Sequence, residues 1–266
     1  MNDVANININ DIIKIAHAAG TEILKVYNAG ISGWDVSFKS DSSPLTLADK
    51  RSNALICNLL TELFPDIPII SEENKEIPYC IRKDYQFFWL IDPLDGTKEF
   101  IKRNGEYTVN IALINKNKPV IGIVHLPVLQ ITYYAVKGSG AYCINPDGEK
   151  MKISAKSFCI NDDNLNIVAS RSHMNEETLS FIKQFREAKI VSMGSSMKLI
   201  LVAEGKAHIY PRLGPTMEWD TAAAQIIVEE SGGSVIDFQH KKKLQYNKEN
   251  LLNNHFVVYG NVSPCQ

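Results

Sequence analysis

The stretch Phe87-Phe88-Trp89-Leu90-Ile91 runs straight into Asp92-Pro93-Leu94-Asp95-Gly96-Thr97. Five consecutive apolar residues, three of them aromatic, read as a buried strand. The acids begin where that run stops. A second apolar run, Ile67 to Ile70, ends the same way in Ser71-Glu72-Glu73-Asn74. Separate strands that deliver carboxylates from their ends are how sheet-based sites are commonly assembled.

The rest of the pattern fits an α/β chain. Ile9, Ile12, Ile13, Ala16, Ala19, Ile23, Leu24 and Tyr27 recur at helical spacing over Ile7 to Tyr27, with Asn10 or Asp11 as the expected N-cap. A second helix is expected from about Thr46 to Phe64, stopped by Pro65. Tyr107 to Ile114, Val120 to His125 and Ile131 to Val136, joined by turn residues, read as an antiparallel meander. After about Ser154, strand-like pieces alternate with helices expected over 176–187, 196–204 and 220–231. Two halves follow, residues 1–153 and 154–266, with no linker between them.

Composition excludes several classes. The 266 residues are 45% apolar and 22% charged, ordinary globular usage with enough apolar material for a sizeable core. The formal net charge is -2, which argues against a polymeric nucleic acid partner. A small anion remains possible, because bound cations can make one pocket positive on a near-neutral protein. The N-terminus has neither a basic segment nor an apolar stretch of signal-peptide type, and no apolar run approaches the length of a membrane span. A cytoplasmic protein is expected, with peripheral association at the inner membrane conceivable but not demanded. Cys57, Cys80, Cys143, Cys159 and Cys265 are odd in number and lack C-x-x-C spacing, so free thiols are expected. Monomer and homodimer both stay open.

The acids carry the chemistry. Asp92 and Asp95, spaced across Pro93 and Leu94 and followed by Gly96, fit a tight turn that aims both carboxylates and the Leu94 carbonyl one way. With Glu72 they offer the hard oxygen ligands that magnesium prefers. Gly96 permits close approach of a phosphate to backbone N–H groups, and the Thr97 hydroxyl can orient a water. Asp49, in Pro44-Leu45-Thr46-Leu47-Ala48-Asp49, could take a proton through that hydroxyl, although alone it reads as an ordinary helix residue. Asp220, expected at the start of an alanine-rich helix, is compatible with a cap and a metal ligand at once. Ser170-Arg171-Ser172-His173, Gly194-Ser195-Ser196-Met197-Lys198 and Arg212 offer basic and hydroxyl groups for a second anion, each unremarkable alone.

Three motifs in order, Glu72-Glu73, Asp92-Pro93-Leu94-Asp95-Gly96-Thr97 and Trp219-Asp220-Thr221-Ala222-Ala223, resemble the signature of the inositol monophosphatase superfamily of magnesium-dependent, lithium-sensitive phosphatases. Lys98-Glu99-Phe100-Ile101 after the Gly-Thr, where inositol monophosphatases typically show Thr-Asn-Phe-Val, is similar to the 3'(2'),5'-bisphosphate nucleotidase branch. Pro215 to Ala223 and Ser170 to His173 are similar to its bacterial form, from whose usual Ser-Glu-Glu-Asp the string ending in Asn74 departs.

The resemblance implies a layered αβαβα sandwich and two or three Mg²⁺ ions held by Glu72, Asp92, Asp95, Asp220 and the Leu94 carbonyl. Glu73 would stand behind them. Thr97 and Asp49 would activate the attacking water. The substrate would be a nucleotide bisphosphate, approached by Glu72, Leu94, Asp95, Gly96, Thr97 and Asp220 on the metal side and by His173, Ser195, Lys198 and Arg212 at its remaining 5'-phosphate. An inositol or sugar phosphatase of the same superfamily is the alternative. A non-catalytic nucleotide- or metal-binding regulator is a third reading, against which the intact acid set and Thr97 argue.

Overall fold

The computed structural model describes residues 7–30, 34–39, 44–169 and 175–265. The first half opens with helix α1 (Ile9–Ala29), a small hairpin of β1 (Ser37–Phe38) and β2 (Pro44–Leu45), and α2 (Leu47–Leu63). It continues through β3 (Ile69–Ser71), α3 (Tyr79–Arg82), β4 (Phe87–Asp95), α4 (Thr97–Ile101), β5 (Thr108–Asn115), β6 (Lys118–Leu126), β7 (Ile131–Val136), β8 (Ala141–Ile144) and β9 (Lys150–Ile153). Strands β3 to β9 form one seven-stranded sheet in sequence order, antiparallel except for the β3–β4 pair. The later chain supplies β10 (Ser157–Cys159), β11 (Asn166–Ala169), α5 (Glu176–Ile182), β12 (Lys189–Ser192), α6 (Met197–Ala203), β13 (Ile209–Arg212), α7 (Glu218–Glu230), β14 (Ser234–Asp237), β15 (Phe256–Tyr259) and β16 (Asn261–Ser263). Its five-stranded sheet runs β12-β11-β13-β15-β14, and β10 pairs with β16 apart from it.

Layering follows from which faces are apolar. Trp89, Ile91, Ile111 and Leu113 point to the α1–α2 side, into one core with Ile12, Ala16, Ile23, Ile56 and Leu60. Phe88, Leu90, Ala112 and Ile114 point the other way, into a core shared with α6, α7 and the second sheet. A third core, with Ile167, Phe181, Ile182 and Val257, lies under α5. The sandwich is therefore helices, sheet, helices, sheet, helix: the αβαβα arrangement. Helix α7 is buried nearly all round because it lies between two sheets.

Several expectations need correction. Asn8 caps α1, accepting from the Asn10 N–H at 3.1 Å, in place of Asn10 or Asp11. Strand β4 does not stop at Ile91. Asp92 pairs with Asn110 and Asp95 with Thr108, so the ladder resumes past a bulge holding Pro93 and Leu94. What reads as a free turn is thus a bulge in a buried strand, where a proline without an N–H costs no ladder bond. Helix α5 ends at Ile182, because the Gln184 and Phe185 N–H groups bond three residues back and the helix gives way to turns. Helix α7 begins at Glu218, so Asp220 sits inside its first turn. Cys159 and Cys265 are not free thiols. They form a disulfide across the β10–β16 pair, with Cα atoms 5.1 Å apart and a sequence separation of 106, which no local spacing rule reveals. Cys57, Cys80 and Cys143 are free.

Candidate active site

The bulge in β4 has a physical purpose that its sequence hides. The Asp92 carboxylate accepts from the Leu94 N–H at 3.1 Å, and Ser52 on α2 donates to the Pro93 carbonyl at 2.7 Å. These bonds hold the irregular backbone, and the Leu94 carbonyl accepts from Thr97 Oγ1 at 3.4 Å. Gly96 turns the chain with φ 97°, a left-handed conformation suited to glycine, and delivers Thr97 as the first residue of α4.

Asp49 serves two structures at once. Its Oδ2 accepts from the Thr46 N–H at 2.7 Å and the Thr46 hydroxyl at 2.6 Å, closing the capping box of α2. Its Oδ1 accepts from the Thr97 hydroxyl at 3.1 Å. Burial raises the proton affinity of Asp49, against the opposing effect of the Thr46 and Thr97 hydrogen bonds.

Glu72 from the end of β3, Asp92 from β4 and Asp220 from α7 present carboxylate oxygens that all lie within 4.8 Å of one another. Asp220 is held by the Met217 N–H, which donates to its Oδ2 at 2.9 Å. Asp95 stands beside this triad, and its Oδ2 accepts from the Ser195 hydroxyl at 2.7 Å and the Ser196 N–H at 2.5 Å. Burial pushes the Asp92 carboxyl well above its usual range, and Glu72, Asp95 and Asp220 push it further. Asp220 is raised in the same direction by burial, then by Asp95 and Glu72. Four acids so placed cannot all ionise cheaply without cations among them.

A lysine answers part of that demand. Lys39 donates to Glu72 at 2.7 Å and to Glu73 at 2.6 Å. Burial alone would lower the pKa of its ammonium, yet the two glutamates outweigh burial and hold it above the ordinary lysine value. Sequence reasoning missed Lys39, a lone cation beside a serine-rich loop with no periodic signal. It also missed Thr108 and Asn110, whose spacing places two polar residues on one face of an otherwise apolar strand.

The acids separate two cavities. One, of about 260 Å³, is lined by Asp95, Gly96, Ser195, Lys198, Arg212 and Asp220, together with Lys98, Lys102 and Asn104. Glu72 faces the other, of about 410 Å³, with Trp219 and Leu251. In the first cavity Lys198 Nζ donates to the Ser195 carbonyl at 2.6 Å. Burial, with Arg212 adding to it, lowers the Lys198 pKa to about 8 against the opposing pull of Asp95, Glu99 and Asp220. Arg212 donates from Nη2 to the Pro215 carbonyl at 2.8 Å, whereas its Nε is buried without a partner among the described residues. A buried donor left unpaired beside a polar cavity is a place for an acceptor to bind.

The structure thus brings together Asp49, Glu72, Asp92, Leu94, Asp95, Gly96, Thr97, Ser195, Lys198, Arg212 and Asp220. His173 lies outside the described residues. Away from the site, His17 and His125 share the Thr132 hydroxyl, at 2.7 Å and 2.9 Å.

The environment of Asp220 depends on one more buried acid. Glu218 accepts from the Asn247 N–H at 2.6 Å, the Lys248 N–H at 3.1 Å and Lys248 Nζ at 2.5 Å. Arg82, itself buried, binds the carbonyls of Lys248 and Glu249 and so clamps the same loop from α3. The entrance of α7 is fixed from outside before Asp220 is asked to hold anything.

Comparison with known proteins agrees with this geometry. The sequence pattern of the inositol monophosphatase family matches residues 6–262. The chain is 42% identical over 252 residues to the 3'(2'),5'-bisphosphate nucleotidase CysQ of Salmonella typhimurium, covering 94% of this chain and 98% of that one. It is 38% identical over 257 residues to the CysQ nucleotidase of Haemophilus influenzae, covering 96% and 93%. The crystal structure of CysQ from Bacteroides thetaiotaomicron, described as a bacterial member of the inositol monophosphatase family, superposes with a TM-score of 0.85 at 39% identity over 97% of this chain and 99% of that one. The fold alone is shared with the extragenic suppressor protein suhB of Bartonella henselae, at a TM-score of 0.76 and 24% identity over 95% and 93%. A family pattern spanning nearly the whole chain and relatives at about 40% identity lead to one conclusion: this chain belongs to the inositol monophosphatase family.

Proposed function

We propose that this chain hydrolyses the 3'-phosphate of adenosine 3',5'-bisphosphate to give AMP and phosphate. One observation carries the reading. A single cavity has carboxylates at Asp95 and Asp220 and, in the same wall, Lys198 and an Arg212 guanidinium with an unpaired buried N–H. A substrate with two phosphates fits such a cavity. Its reacting phosphate belongs with the acids and their cations, and the other with the basic groups. Relatives that align over nearly their whole length carry the nucleotidase name.

Magnesium is the ion we assign, held by Glu72, Asp92, Asp95, Asp220 and the Leu94 carbonyl, in two or three sites. The donor set is all oxygen, which suits a hard cation, and Lys39 already shows that a positive charge is stable at Glu72. Such ions, when bound, offset the acids and the phosphate and make a bound water easier to deprotonate. The protein does the rest. A water donating to Thr97 Oγ1 passes its proton on to Asp49 Oδ1, since that hydroxyl already donates to Asp49. The raised proton affinity of Asp49 suits it to act as the base. Asp220, together with a cation it would help hold, would offset the charge on the departing 3'-oxygen, which takes its proton from solvent, with displacement in line and no covalent intermediate. Residues 1–153 would supply most of the ligands and the base. Residues 154–266 would supply Asp220 and the contacts to the nucleotide, His173 among them.

The cytoplasm is the proposed compartment. Three free thiols favour it, and the Cys159–Cys265 bond is the feature that argues the other way. Among the described residues, no helix is long and apolar enough to cross a membrane.

A phosphate-release assay with adenosine 3',5'-bisphosphate, adenosine 3'-phosphate, 3'-phosphoadenosine 5'-phosphosulfate, inositol 1-phosphate and fructose 1,6-bisphosphate tests the assignment. The highest kcat/KM is expected for adenosine 3',5'-bisphosphate. A higher value for inositol 1-phosphate would make the chain an inositol phosphatase instead.

A further inference from the structure

Asp95 is gripped from the far half of the chain. Its Oδ2 receives the Ser195 hydroxyl and the Ser196 N–H, with Asn110 Nδ2 more distant at 3.5 Å. Its Oδ1 receives no hydrogen bond among the described residues. One carboxylate oxygen is therefore fixed and the other is left to a cation.

Behind the serines stands a second tier on β5. Thr108 Oγ1 lies 2.7 Å from Ser195 Oγ and 2.8 Å from Ser196 Oγ. Asn110 Oδ1 accepts from Ser196 Oγ at 3.0 Å and from Thr108 Oγ1 at 3.1 Å. Thr108, Asn110 and Ser196 are buried to 2% exposure or less, so no bulk water competes.

Counting protons orders this network. The Ser195 hydroxyl has one hydrogen, and it is committed to Asp95, which accepts only. Toward Thr108, Ser195 Oγ offers lone pairs alone. At 2.7 Å two hydroxyl oxygens share a hydrogen, and with the Ser195 hydrogen on Asp95 it is Thr108 that can supply it. The Ser196 hydrogen is shared between Asn110 Oδ1 and Thr108 Oγ1, and the Thr108 hydrogen between Ser195 Oγ and Asn110 Oδ1. With Thr108 as donor to Ser195, donation runs from Thr108 through Ser195 to Asp95.

We infer that Thr108 is a positioning residue, whose hydroxyl orients Ser195 and through it the Asp95 carboxylate. The inference rests on the reading of Asp95 as a metal ligand. It also joins two parts of the site, because Ser195 lines the nucleotide cavity and its carbonyl holds Lys198. Ser195 has a left-handed backbone, φ 53°, which a serine keeps only when its surroundings impose it. The same hydroxyl relay thus sets the metal side and the nucleotide wall. Metal affinity and substrate KM should move together when it is cut.

The test is Thr108→Val, which keeps the side-chain shape and removes the donor, read by calorimetric titration of the metal-free protein with Mn²⁺ alone. Mn²⁺ takes the same oxygen ligands as Mg²⁺. The expected result is a dissociation constant weaker by roughly 10–100-fold, the range for losing a group that orients a ligand. Thr108→Ser, which restores the hydroxyl, should return to within a few-fold of the parent. Asp95→Asn is titrated alongside. If it binds Mn²⁺ as tightly as the parent, Asp95 is not a ligand, and the reading and the inference fall together. If Asp95→Asn loses affinity while Thr108→Val keeps it, the inference alone is overturned. Should Thr108→Val fail to fold, Thr108→Ala carries the test by removing the same hydroxyl with a smaller side chain. A weakening of the same order is expected there, and unchanged affinity would overturn the inference.

Discussion

Gly122→Ala should damage stability and catalysis together, through one displaced helix. Gly122 lies on β6 directly under α7. A Cβ built there would stand 2.2 Å from the Ala223 carbonyl oxygen, 2.4 Å from Ile226 Cγ2 and 3.0 Å from the Ala223 carbonyl carbon. Carbon and carbonyl oxygen rest at roughly 3.3 Å, so about 1 Å must be made up. Two of the three obstructing atoms are helix backbone, which cannot rotate away. Helix α7 cannot recede freely either, because the second sheet packs on its far side. Overpacking of this kind costs about 1–3 kcal/mol, and the backbone clash places Gly122→Ala at or above the upper end. Ala223 is three residues from Asp220, so the shift reaches the acid nearly undiminished. A misplacement of about 1 Å at a reacting centre can cost about 10²-fold in rate. Urea denaturation gives the first quantity and kcat/KM with adenosine 3',5'-bisphosphate the second. Gly214→Ala is the control for stability, since nothing lies within 4 Å of a Cβ there and its backbone is not left-handed. If Gly122→Ala unfolds within about 0.5 kcal/mol of the parent and keeps its kcat/KM, α7 does not rest on β6 as described, and the reasoning fails.

Three further outcomes can be measured. Asp95→Asn should lose at least about 10²-fold in kcat with folding preserved, and near-normal turnover would favour a non-catalytic regulator. Lys198 is charged below its pKa of about 8 and neutral above it, so kcat/KM for the bisphosphate should fall as pH rises through about 8. Lys198→Arg, which stays charged, should flatten that limb, and an unchanged limb would assign it to another group. Reducing the Cys159–Cys265 bond should lower stability by about 2–4 kcal/mol, because it closes a loop spanning 106 residues. Identical urea curves with and without reductant would contradict this.

Much of the fold was legible where periodicity is strong. Helix α1 follows its apolar spacing and α2 its Thr46 cap, and β5 to β7 follow runs too apolar for an exposed face. What escaped depended on contacts distant in sequence. The bulge in β4 reads locally as a turn, because Pro93 and Gly96 are turn residues, and only pairing with Thr108 shows that the strand goes on. Asp49 looked ordinary because its bond to Thr97 spans 48 residues, although the Thr46-x-x-Asp49 spacing advertises a capping box. Ser195 was expected at the nucleotide. Its bond to Asp95, 100 residues away, has no local signature. The disulfide escaped for the same reason. The acids were legible as three short motifs in order, although Asp92 lies inside β4 and Asp220 inside the first turn of α7, not at strand ends.

Anomalous scattering from crystals grown with Mn²⁺ and AMP would probe the central claim most directly. The account predicts at least two manganese peaks, bridged by Glu72, Asp92, Asp95 and Asp220, with Lys39 displaced from Glu72. Peaks elsewhere, or none among these four carboxylates at saturating Mn²⁺, would contradict it.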